Sequence, residues 1–187
     1  MGQITNGVRA VLGHPAVYTL FQASVGAALL RRETVRRYLR PWPGARVLDV
    51  GCGPAEVLDE MPAVDYLGID LSPAYIEAAR ARHGGRGAFL ACGVGDLDRL
   101  TGQRFDLILA SGLLHHLDDG EARTLFADAR RLLVPGGRMV TVDGCRAEGQ
   151  SRLARLLLDR DRGRNVRDQA GYVGLAVGLF ARVEADL

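Results

Sequence analysis

The residues with chemical potential in this 187-residue chain fall into four short clusters. The first is Val47-Leu48-Asp49-Val50-Gly51-Cys52-Gly53-Pro54, an apolar run ending in two glycines one residue apart, with a helical pattern directly behind it. Gly51 and Gly53 permit a tight turn and let a ligand approach backbone that any Cβ would shield. Such a turn delivers the ligand to N–H groups at a helix N-terminus, a setting that favours a carboxylate or a phosphate. The third glycine of the dinucleotide fingerprint is absent, because Glu56 stands in its place, and this argues against a pyrophosphate and a nicotinamide-dependent oxidoreductase. The second cluster is Asp70, which ends the next apolar run. A carboxylate there accepts hydrogen bonds from both hydroxyls of a ribose; the plainer alternative is a cap on the turn before Ser72.

The third cluster is Ser111-Gly112-Leu113-Leu114-His115-His116-Leu117. Adjacent histidines on a helical or irregular segment cannot both face one way. His116 is the one assigned to the cleft, where an unperturbed pKa of about 6.5 suits a general base, against the alternative of a hydrogen-bonded wall residue. No metal site is expected, because the histidine pair lacks further ligands at zinc spacing and Cys52, Cys92 and Cys145 form no CxxC. The fourth cluster holds Arg160, Arg162, Arg164, Asn165, Arg167 and Tyr172. It is either a solvated basic face or the lining of a site for an anionic acceptor.

Short apolar runs of strand length at 46–50, 66–69, 88–92, 105–110 and 138–142 alternate with helical patterns at 55–60, 73–83 and 121–133. Ser72 is the expected N-cap before Pro73, and Pro135-Gly136-Gly137 the expected turn back to the sheet. Strands apolar on both faces and alternating with helices predict an α/β fold, a doubly wound and mostly parallel sheet with helices on both sides. Ligands of such sheets bind beyond the carboxyl ends of the strands, where all four clusters except the last begin. Residues 16–40 read as one helix or two, stopped by Pro41-Trp42-Pro43-Gly44. Residues 151–187 read as a helix, a basic loop, a helix at 172–179 and a last strand at 182–187.

In order and spacing, VLDVGCG, YLGIDLSPAYIEAAR, FDLILASGLLHHLDD and LLVPGGRMVTVD resemble the successive motifs of class I S-adenosylmethionine-dependent methyltransferases, over roughly residues 45–143. The resemblance implies S-adenosylmethionine as cofactor, with Asp49, Gly51, Cys52 and Gly53 around its methionine part, Asp70 on the ribose and Leu71 beside the adenine. It places Ser111 next to the methionine moiety. It also implies direct in-line transfer of the methyl group to a small-molecule acceptor. Family members usually carry an Asp after the third strand for the adenine amino group. Here Gly93 takes that position, with Val94 as the backbone donor, so either Asp96 swings round or backbone and packing hold the base. The resemblance further implies a lid from the N-terminal segment, through Tyr18 and Gln22, unless these residues only pack the core. Arg164 and Tyr172 fall where relatives line the acceptor site. The family's sheet order, 3-2-1-4-5-7-6, ends in a hairpin for which this chain has only a beginning. That leaves a strand edge which invites a homodimer, and it keeps open a non-catalytic cofactor-binding or scaffold protein as the alternative.

Bulk properties narrow the rest. At 187 residues the chain reads as a single methyltransferase domain: a lid segment at 1–44, a cofactor-binding core at 45–143 and an acceptor side at 144–187. With 48% hydrophobic and 25% charged residues and a net charge of +2, neither disorder nor a nucleic-acid partner is expected. The apolar stretch at 16–30 contains Gln22 and Ser24 and is shorter than the ~20 residues of a membrane span, so a cytoplasmic protein with no membrane contact is expected.

Overall fold

Five strands with alternate residues facing opposite helical layers form one parallel sheet in the computed structural model, which describes residues 26–150 and 165–187. They are β1 (Arg46–Val50), β2 (Asp65–Asp70), β3 (Gly87–Ala91), β4 (Phe105–Ser111) and β5 (Leu133–Val142), in the order β3-β2-β1-β4-β5. Both faces are buried, as parallel sheets require. Leu48, Leu67, Ile69 and Ile108 pack on one side with Leu125, Phe126, Ala129 and Leu175. Val47, Tyr66, Leu107 and Leu109 pack on the other with Val35, Leu39, Leu58 and Ile76.

Among the described residues the α-helices are α1 (Ala27–Glu33), α2 (Pro73–His83), α3 (Asp119–Leu132) and α4 (Gln169–Ala176). α1 runs on into a wider π-helical turn, Thr34–Leu39, and stops at Arg40, whose φ of 44° is left-handed. The Pro beyond it bars an ordinary helical residue at that place. α2 starts as expected, with Ser72 Oγ accepting from the Tyr75 N–H at 3.4 Å and Pro73 leading the helix. α3 starts two residues earlier than its apolar pattern, because Asp118 and Glu121 form a reciprocal capping box. Its buried residues Ala122, Leu125, Phe126, Ala129 and Leu132 recur at threes and fours.

Three expectations are corrected. Residues 56–60 form a 3-10 turn rather than an α-helix, because Ala55 ahead of it is itself left-handed, at φ 56°. Pro135-Gly136-Gly137 lies inside β5, where the register with β4 slips between Phe105↔Leu133 and Leu107↔Arg138, so these residues make a bulge and not a connecting turn. Residues 182–187 form no strand; Asp186 instead accepts from the Tyr38 hydroxyl, and the Ala185 carbonyl from Gln169. Among the described residues the outer edge of β5 is therefore unpaired. The Arg138 guanidinium, on β5, donates to the Leu39 carbonyl at 2.7 Å and the Arg40 carbonyl at 3.2 Å, fastening the π-helical turn to the sheet.

Candidate functional site

The strand order reverses between β1 and β4, and the crevice beyond their carboxyl ends is where doubly wound sheets bind ligands. Four loops meet there. The glycine turn after β1 is clamped to β2, because the Gly51 and Cys52 N–H groups both donate to the Ile69 carbonyl, at 2.8 and 2.9 Å. Gly51 (φ 75°) and Gly53 (φ 53°) hold left-handed conformations that glycine adopts without strain. A Cβ on Gly51 would approach the Leu113 side chain to 3.1 Å, so the loop after β4 lies directly over this turn. No atom lies within 4 Å of the place where a Gly53 Cβ would be, which leaves room against the backbone there. Glu56, in the place of the missing glycine, has a structural use: its carboxylate pairs with Arg31 at 2.9 Å and docks α1.

Asp70 stands at the end of β2 with Oδ2 accepting from the Gly53 N–H (2.9 Å) and Oδ1 from the Ser72 N–H (2.8 Å). Capping the turn and facing the glycine loop are thus combined in one side chain. Each oxygen keeps further acceptor capacity for a ligand hydroxyl. Burial raises the Asp70 carboxyl above its ordinary value, and the two N–H donors counter this. Leu71 beside it is exposed, and its Cδ1 lies 3.4 Å from where a Gly93 Cβ would sit. Leu71 and Gly93 therefore line one edge. Asp96 is already occupied there: its Oδ2 accepts from the Gly93 N–H at 3.1 Å and its Oδ1 pairs with Arg99 at 3.0 Å.

Asp49 is buried at the penultimate position of β1, and its Oδ2 accepts from the Tyr66 hydroxyl. Burial pushes its carboxyl to about 7, against the pull of that hydrogen bond. The Cys52 thiol is driven up by burial and by the neighbouring Asp49 and Asp70, so it stays protonated and is no nucleophile.

Ser111 ends β4 at the crevice and is exposed. The next turn, Leu114–His116, separates the two histidines: His116 is exposed, and His115 is buried. His115 Nδ1 lies 2.7 Å from Asp143 Oδ1, and its backbone N–H donates to the same oxygen at 3.2 Å. The pairing was not anticipated from the sequence. It depends on the register that sets Val142 opposite Ser111 and so brings Asp143, the next residue, to the histidine turn. Arg167 does not line a cleft for anions. Its guanidinium donates to the Leu114, Leu117 and Asn165 carbonyls and to Asp119, which staples the histidine turn. The Tyr172 hydroxyl is likewise taken up by the Gly144 carbonyl at 3.0 Å. Tyr18, Gln22 and Arg164 lie outside the described residues. Among the described residues no group of three or more His, Cys, Asp or Glu side chains is placed to hold a metal ion, and no helix is long and apolar enough to cross a membrane.

Comparison with known proteins agrees with this arrangement. Residues 47–137 match the family described as a methyltransferase domain. Trans-aconitate 2-methyltransferase of Methylobacterium radiotolerans is 35% identical over 133 residues, 66% of this chain and 46% of that protein. Ubiquinone biosynthesis O-methyltransferase of Azorhizobium caulinodans is 34% identical over 113 residues, 58% of this chain and 41% of that protein. A probable tRNA methyltransferase 9B of Bos taurus is 32% identical over 112 residues, 57% of this chain but 23% of that protein. The chain thus spans less than half the length of these relatives. Among solved structures, a TehB-like S-adenosylmethionine-dependent methyltransferase from Corynebacterium glutamicum superposes with a TM-score of 0.62 at 21% identity, covering 89% of this chain and 83% of that one. The pyocyanin biosynthetic protein PhzM superposes with a TM-score of 0.68 at 21% identity, covering 92% and 55%. Residues 47–137 thus carry the methyltransferase-domain match, on a parallel sheet in the order 3-2-1-4-5 with a glycine turn and an acid at its first two strand ends.

Proposed function

We propose that the chain transfers the methyl group of S-adenosylmethionine to a small-molecule acceptor. The observation that carries this is the joint placement of Gly53 and Asp70, a backbone turn left open and a carboxylate bonded to it at 2.9 Å. An adenosyl amino acid presents a carboxylate and a ribose diol to these two features. Asp49, Gly51, Cys52 and Gly53 would surround its methionine part, Asp70 would accept from the ribose hydroxyls, and Leu71 with Gly93 and Val94 would hold the adenine. Because Asp96 is occupied by Gly93 and Arg99, we assign the adenine to backbone and packing. Ser111 would border the methionine moiety.

When bound, S-adenosylmethionine supplies a methyl group already activated on a sulfonium, so a nucleophile displaces it in line. The chain's own task is mostly alignment, which in favourable cases lowers a barrier by about 7 to 11 kcal/mol. Acceptors of the relatives differ widely, and the modest net charge of +2 favours a small acceptor over a polynucleotide. The three cysteines are all free thiols, which fits a reducing, cytoplasmic setting. A second copy pairing along the outer edge of β5 would form the homodimer. Calorimetry with S-adenosylhomocysteine tests the reading: saturable binding is expected, and no heat from either the methyl donor or its demethylated product would end it. Binding without labelling of any acceptor from a tritiated donor would favour the non-catalytic alternative.

A further inference from the structure

We propose that Leu113 is a positioning residue that seats the histidine turn on the glycine turn, so that filling the methyl-donor site fixes the place of His116. The proposal rests on the methyl-transfer reading above and adds the residue through which the two loops flanking the switch point act together.

The two loops are rooted separately. The glycine turn hangs on β2, through the Gly51 and Cys52 N–H groups on the Ile69 carbonyl. The loop after β4 hangs on β5, through the Gly112 N–H on the Val142 carbonyl at 2.7 Å. β1 and β4 pair directly only as far as Asp49↔Leu109, so their register leaves the relative place of the two loops to other contacts. Leu113 supplies one. Its Cδ1, Cδ2 and Cβ lie 3.1, 3.4 and 3.5 Å from where a Gly51 Cβ would be, so the side chain sits on the bare Cα of the turn. Carbon atoms ordinarily pack at about 3.5 to 4.0 Å, which means that glycine alone leaves this seat open. The backbone of the same residue holds the histidine turn, because the Leu113 carbonyl accepts the His116 N–H at 2.9 Å. Leu113 thus touches the donor turn with its side chain and bonds the exposed histidine with its main chain.

Core packing alone accounts for Leu113 less well. Leu114 is 1% and Leu117 7% exposed, so two other leucines already anchor the histidine turn in the core. Arg167 holds the carbonyls of both from outside. Leu113 touches the edge of that core but is only partly buried, with its side chain turned onto Gly51. Gly51 at φ 75° and Gly112 at φ 66° flank the contact. Both are residues of wide conformational freedom, which a side chain seated between the loops restricts.

The catalytic consequence is alignment. A misplacement of about 1 Å can cost 10²-fold in rate, and here the donor turn and the histidine turn come from different strands. A donor lying along the glycine turn restricts Gly51 and with it the seat of Leu113. His116 follows through the hydrogen bond of its N–H. By linkage the effect is reciprocal, so loosening the histidine turn also weakens the donor.

The test uses the full chain, S-adenosylhomocysteine as the probe, calorimetry for its affinity, and the nuclear magnetic resonance signals of the His116 ring, assigned from the spectrum of His116→Gln. Saturating probe is expected to shift those signals in the unaltered chain. In Leu113→Ala, also at saturation, most of that shift should be lost, while affinity falls by about two- to thirtyfold. Leu113→Met, of similar volume, should keep the shift. A second comparison needs no ligand. Gly51→Ala should push Leu113 off its seat and move the His116 signals by itself, and in the Leu113→Ala background the same change should leave them in place. A full shift in Leu113→Ala would reduce the residue to packing and overturn the proposal, even if its urea midpoint fell. No shift in the saturated unaltered chain, or His116 signals unmoved by Gly51→Ala, would overturn it as well. If the unaltered chain failed to bind S-adenosylhomocysteine, the methyl-transfer reading would fall instead, and the ligand-free comparison would still decide whether the two turns are joined.

Discussion

Tyr66 donates a 2.6 Å hydrogen bond to Asp49, and both residues are buried between β1 and β2 beneath the glycine turn. The bond joins a phenol whose own pKa is well above its ordinary value to a carboxyl raised by burial to about 7. In the native chain Asp49 therefore keeps its proton across an interval, from 3.8 to about 7, in which the unfolded chain has lost it. The native state binds more protons there, so stability is full below the ordinary carboxyl range and is lost as pH rises through about 7. Asp70 and Asp143, also raised by burial, act with the same sign. His83, lowered by burial, acts oppositely, but only below its ordinary 6.5. Urea midpoints should fall between about pH 5 and pH 8, and Asp49→Asn should flatten that fall.

Asp70→Ala should weaken S-adenosylhomocysteine by about 1.5 to 3 kcal/mol, the usual worth of hydrogen bonds to a charged group. The same change frees the Gly53 and Ser72 N–H groups, so the urea midpoint should drop as well. Calorimetry decides the first point. An unaltered dissociation constant would remove Asp70 from the cofactor site.

Arg167→Ala should destabilise the chain by about 2 to 3 kcal/mol, because three backbone carbonyls and Asp119 lose one shared donor. Arg167→Lys should recover little, since an ammonium lacks the planar fork that reaches carbonyls in several directions. Urea unfolding of the two variants compares them directly. If Arg167 served an anionic acceptor instead, stability would hold while KM rose.

A methyl group on Gly68, inside β2, would meet Cys52 Sγ at 2.9 Å, Tyr66 Cε1 at 3.0 Å and Phe89 Cδ1 at 3.1 Å. Gly68→Ala should therefore cost about 1 to 3 kcal/mol as an overpacked core. Cys52→Ala vacates part of that space. The double variant should be more stable than the sum of the two single effects, a coupling that a double-mutant cycle in urea measures.

The strands and the start of α2 were legible in the sequence, because apolar runs of fixed length and a Ser-Pro cap depend on neighbours along the chain. Gly51, Gly53 and Asp70 were legible for the same reason: each closes a strand. What escaped depended on neighbours in space. That His115 is the buried member of the pair and bonds Asp143, 28 residues away, follows from a strand register that periodicity does not encode. Arg167 looked like part of a basic cluster until the Leu114 and Leu117 carbonyls, 53 and 50 residues away, claimed its guanidinium. Ala55 in a left-handed conformation shortened the expected helix at 55–60, and no rule based on residue type would place an alanine there.

Arg138 and its two acceptors, Leu39 and Arg40, are separated by 99 and 98 residues, which bears on the order in which the molecule assembles. A ribosome adding about 5 to 20 residues per second exposes those carbonyls to water for some 5 to 20 s before the arginine emerges. The turn that precedes β1 in the chain is thus among the last pieces to be locked, and substitutions at this fastening should speed unfolding far more than they slow folding.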